Sequence, residues 1–81
     1  MDGCEQMGYY TVESGASNKR VFTAFSMPMA KEFCVSKLMK SPKMNLVICN
    51  GNYVKYDVRR EGDAVIFRNR DTGKEIAVKV R

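Results

Sequence analysis

The sequence predicts an α+β domain. A mostly antiparallel sheet runs in the order β-β-α-β-β-β-β, with one helix packed on one face. Three observations carry this. Turn-forming residues recur about every eight to ten positions, with β-prone segments between them. The apolar period changes from two to about 3.6 once, in the stretch "SMPMAKEFCVSKLMKSP". At 81 residues the chain has room for one core, so it is read as a single small domain with residues 1–7 as a flexible N-terminal segment.

Each element has a local cause. "GYYTVES" and "KRVFTAF" are rich in β-branched and aromatic residues and flank the loop "GASN", which predicts a hairpin. Met27, Ala30, Cys34 and Leu38 then recur at helical spacing, with Val35 and Met39 widening the stripe and Glu32, Ser36 and Lys40 opposite. Ser26 is placed to cap this helix and Pro28 falls in its first turn, where no donor is needed. Lys37 and Lys40 suit its negative end, and Pro42 stops it. Beyond it, Asn50-Gly51, "REGD" and "RDTGK" divide the rest into a four-strand meander.

Strand alternation then sorts side chains into two rows. Val54, Tyr56 and Val58, Val65 and Phe67, and Ile76, Val78 and Val80 form apolar rows expected to lie under the helix. The reverse rows hold Lys55, Arg59, Arg68, Arg70, Lys79 and Arg81, with Tyr53 and Ile66 among them and only Asp57 and Glu75 as acids. A solvated sheet face must be polar in any case, and paired charges are its ordinary filling. Six bases against two acids nevertheless exceed what mutual pairing needs. Phe33 and Met29 lie off the helix stripe. They either form an exposed patch for a partner or, for Phe33, tuck under the first hairpin.

Composition excludes several functions. The chain has no histidine, and its three cysteines, Cys4, Cys34 and Cys49, are too widely spaced for a zinc site or a disulfide framework. No metal and no cofactor are expected. Cys34 on the apolar helix stripe reads as a small hydrophobe, and Cys49 lacks a neighbouring base. No catalytic residues are expected, and the protein is not read as an enzyme. No apolar run approaches membrane length, and no signal or lipidation pattern is read. The expected setting is therefore cytoplasmic, without a membrane partner.

The net charge of +5 is unevenly spread. Residues 1–18 hold Asp2, Glu5 and Glu13 without a base, and the remainder is moderately basic. The reading that follows is a small non-enzymatic binding protein, an inhibitor or adaptor of the kind phages and mobile elements encode. It would dock on a protein or nucleoprotein partner through Lys55, Arg59, Arg68, Arg70, Lys79, Arg81, Tyr53 and Phe33. One alternative is direct nucleic-acid binding by the same basic face, although no RNA-stacking, zinc-finger, helix-turn-helix or GXXG motif is present. Another is self-assembly, as a homodimer, through exposed strands.

Overall fold

A computed structural model of the chain describes residues 9–15, 17, 19–51 and 53–80. The expected flexible segment 1–7, Cys4 and the proposed partner residue Arg81 lie outside the described residues. The elements are β1 (Tyr10–Ser14), β2 (Arg20–Ala24), α1 (Met27–Lys40), β3 (Leu46–Asn50), β4 (Tyr53–Glu61), β5 (Ala64–Asn69) and β6 (Glu75–Lys79). This is the predicted order and the predicted α+β class. The strands form one sheet, β2-β1-β3-β4-β5-β6, antiparallel at every junction.

Alternation alone leaves the place of the first hairpin open. In the structure β1 docks on β3, so β2 and β6 are the two edges of the sheet among the described residues. Strands β2 and β3 flank β1 and run parallel to each other. A parallel relation requires a long crossover, and α1 provides it.

The helix forms for the reasons its sequence contains. Ser26 has extended backbone, and its hydroxyl accepts from the Met29 amide at 3.3 Å. The Ser41 amide closes the other end on the Lys37 carbonyl at 2.9 Å. Ala30, Cys34 and Leu38 are fully buried as their spacing implies. Met39 is not part of the stripe: it is half exposed. The core joins these residues to Val12, Ala24, Leu46, Ile48, Val58, Val65 and Phe67.

Two features of the sheet differ from strict alternation. The first is the reach of the helix, which lies mainly against β2, β1 and β4. The Lys31 ammonium sits 4.9 Å from the Tyr56 ring centroid and 5.6 Å from that of Phe67. One helix on a six-strand sheet leaves the far side uncovered, and β6 is beyond it. Register places Ile76 beside Phe67 and Val78 beside Val65, in the expected apolar row. Ile76 is nonetheless 53% and Val78 37% exposed, and only Val80 of that row is buried. The expectation that all three pack under the helix is corrected accordingly.

The second feature is an irregularity where Ile48 faces Tyr56 but Cys49 faces Val54. Lys55 is the extra residue on β4, and such a bulge transposes the rows beyond it. Val54 therefore joins Cys49 and Thr11 on the face away from the helix. Tyr53, opposite Asn50, goes to the helix side. Both placements reverse the alternation expected for residues 53–54.

Candidate functional site

The face of the sheet turned away from α1 is the candidate interaction surface. Cross-strand register builds it row by row. Asp57 faces Arg68, and Arg68 faces Glu75; Arg59 faces Ile66, and Ile66 faces Ala77; Ala64 faces Lys79. Lys55 lies next to Arg70, whose amide donates to the Lys55 carbonyl at 2.9 Å. Five of the predicted cations, Lys55, Arg59, Arg68, Arg70 and Lys79, are thus brought to one side of the sheet.

They do not make a uniformly positive plane. Arg70 grips Asp57 with two parallel hydrogen bonds, Nε to Oδ2 and Nη2 to Oδ1, both 2.9 Å. A fork of this kind fixes the guanidinium and favours both charged forms. The Arg70 hydrogen bonds hold the Asp57 carboxyl below the ordinary carboxylate range, and the same contact raises the Arg70 pKa. Arg59 Nε donates to Glu61 Oε2 at 2.9 Å, and Arg59 Nη2 reaches Glu75 Oε2 at 3.4 Å. Lys79 Nζ lies 3.7 Å from Asp63 Oδ2. Among the described residues, Lys55 and Arg68 enter no ion pair at this face. Sequence alternation alone counts two acids here. Glu13, facing Val47 across β1 and β3, and the turn-flanking Glu61 and Asp63 raise that number.

A cleft of about 520 Å³ opens where β1, β3 and β4 meet the segment after α1. Val47 and Val54 supply apolar surface, and Glu13, Lys43, Asp57, Arg59 and Arg70 surround it with charge of both signs. The bulge at Lys55 brings Val54 here, so a reading by alternation misses it. A bulge residue carries no composition signal that would have revealed it.

The two aromatic residues assigned to the surface lie elsewhere. Phe33 is half-buried and stacks on Phe22, with ring centroids 4.3 Å apart and planes within 2°. It tucks under the first hairpin, the second of the two readings its position allowed. Tyr53 is 70% exposed but belongs to the helix side of the hairpin tip. Neither can contribute to the charged face.

The thiols of Cys34 and Cys49 are enclosed. Burial pushes the Cys34 pKa up to about 12. Cys49 is likewise raised, first by burial and then by the Glu13 carboxylate. Both are neutral, poor nucleophiles near neutral pH. Among the described residues no group of three or more acidic or thiol side chains is placed to hold a metal ion. Among the described residues no helix is long and apolar enough to cross a membrane. No family model, curated protein or solved structure matches the chain.

Proposed function

We propose that the chain is a non-enzymatic binding module, an inhibitor or adaptor, that docks on a protein through the sheet face turned away from α1. The Asp57–Arg70 fork carries this reading. It plants a fixed carboxylate among the bases, and Glu13, Glu61 and Glu75 extend the alternation. A polyanion approaching this face would meet carboxylates at nearly every step, so nucleic acid is poorly matched to it. A protein surface can present charges of both signs at set spacing, which such a face complements. Among the described residues Arg68 and Lys55 enter no ion pair, and the cleft beside Val47 and Val54 offers apolar surface for one inserted side chain.

The test compares wild type with the double variant Lys55→Glu/Arg68→Glu as immobilised bait in lysate with and without nuclease treatment. The expected result is a discrete protein retained by wild type and lost with the double reversal. Retention that disappears with nuclease, or that ignores both reversals, would overturn the reading. Direct titration with DNA and RNA adds a second measure. A face that neutralised four phosphates would lose about 100-fold in affinity between 50 and 200 mM salt. Binding with that slope would transfer the surface to nucleic acid.

A further inference from the structure

Strand β6 ends the sheet, and its outer side carries no partner strand among the described residues. Its five residues, Glu75-Ile76-Ala77-Val78-Lys79, are all exposed. Their backbone polarity follows from the neighbouring bonds: the Asn69 amide donates to the Lys74 carbonyl at 2.8 Å, and the Val80 amide to the Asp63 carbonyl at 2.7 Å. In an antiparallel ladder this pattern alternates. Residues Lys74, Ile76, Val78 and Val80 therefore aim their amides and carbonyls at β5, whereas Glu75, Ala77 and Lys79 aim theirs outward. The outward groups form an open template for another strand.

We infer that two copies of this chain associate through antiparallel pairing of β6 about a two-fold axis at Ala77, joining their sheets into one. This goes beyond the docking reading and does not depend on it. Inverting the strand about Ala77 places Glu75 opposite Lys79 of the second copy and Ile76 opposite its Val78. Opposite charges meet, and large apolar side chains meet. Each matched cross-strand pair favours this register. A shift of the axis to Ile76 sets Glu75 against Ala77, and a shift to Val78 sets Lys79 against Ala77; both registers lose the charge match. The outward parity of Glu75, Ala77 and Lys79 gives about six new backbone hydrogen bonds in the Ala77-centred register.

Face geometry agrees. A two-fold axis perpendicular to the sheet keeps both helices on the same side. The exposed Ile76 and Val78 of each copy then meet in the space the helices leave uncovered, which accounts for two large apolar side chains at an edge. The existing contacts of Glu75 to Arg59 at 3.4 Å and Lys79 to Asp63 at 3.7 Å are long and exposed, so both side chains can also reach across. The other open edge lacks this property. Inverting β2 about Phe22 sets Arg20 against Ala24 and Val21 against Thr23, with no charge match.

Because isologous pairing closes on itself, the product is a dimer and not a fibre. A five-residue seam is short, so association should be concentration-dependent, with a Kd on the order of micromolar. Sedimentation equilibrium of the full chain is expected to show a 9.2-kDa species converting to one of twice that mass. Glu75→Lys or Lys79→Glu alone is expected to weaken the dimer by about tenfold or more, since each sets like charges face to face twice. The double swap Glu75→Lys/Lys79→Glu should restore it, and an equimolar mixture of the two single variants should form a heterodimer. Ala77→Pro removes an outward amide that bonds to nothing among the described residues, and should give a folded monomer by circular dichroism. If that variant unfolds, the charge swap still decides. A chain that stays monomeric to about 1 mM, a dimer indifferent to both charge reversals, or a mass that grows without limit would each overturn the inference.

Discussion

Asp57 ties the charged face to pH. Its pKa is lowered in the folded state by the Arg70 hydrogen bonds. A lowered carboxylate stabilises the fold above its unfolded value and loses that contribution as pH falls through the folded value. Asp57→Asn should therefore lower Tm most near neutral pH, and the difference should shrink as pH falls through the lowered value of the folded carboxyl. With the carboxylate 36% exposed, the loss should be no more than about 1 kcal/mol. A pH-independent Tm difference would remove the ion pair from the account. Arg60 acts at the same scale on the other face. It is opposite Val65, and its Nη1 donates to the Leu38 carbonyl at 3.2 Å while its Nε donates to the Gly62 carbonyl at 2.9 Å. One guanidinium thus serves an orphan carbonyl near the end of α1 and the β4–β5 turn together. Arg60→Ala should cost about 1–2 kcal/mol in denaturant unfolding, and Arg60→Lys, lacking the fork, should recover only part of it. Cys34 and Cys49 supply a separate check. In a Cys4→Ser background, alkylation at pH 8 should wait for global unfolding.

The helix was readable from its residues because its determinants are local: the Ser26 cap, the Ala30-Cys34-Leu38 stripe and the Pro42 stop each act within a few positions. The hairpin turns are legible for the same reason. Gly62 and Gly73 take φ of 61° and 77°, which side-chain-bearing residues adopt reluctantly. The bulge at Lys55 and the limited reach of α1 are not local facts. They depend on how β3 and β4 pair and on how many strands one helix spans, and no residue type announces either. The role of Arg60 is not legible in the sequence because its charge suggests solvent, whereas its partner is a carbonyl on a distant helix. Val65 and Val78 separate local pattern from tertiary placement most sharply. They face each other in one apolar row, yet Val65 is fully buried and Val78 is 37% exposed. Val65→Asp should unfold the domain, since an uncompensated buried charge costs several kcal/mol against a total of roughly 4–12. Val78→Asp, which alternation alone marks as equally disruptive, should leave a cooperative melt. Unfolding of both variants alike would return β6 to the core.

At the scale of the molecule, the sheet carries six strands, while one helix shields only part of it. Native-state hydrogen exchange should follow that gradient, slowest at Ile48 and Val58 in the middle strands and fastest at Glu75, Ala77 and Lys79 in the monomer. Chain connectivity cuts across the same plan. Residues from β3 onward form an uninterrupted meander, and β1, β2 and α1 reach it through the β1–β3 ladder and the helix underside. The exposed peptide between Pro42 and Lys43 connects these two portions, spanned by one hydrogen bond from the Met44 amide to the Ser41 carbonyl at 3.1 Å. Severed there, the protein should behave as a self-recognising pair of fragments. Each half would carry the missing apolar layer of the other, and mixing them should regenerate the helical dichroism that neither half sustains alone.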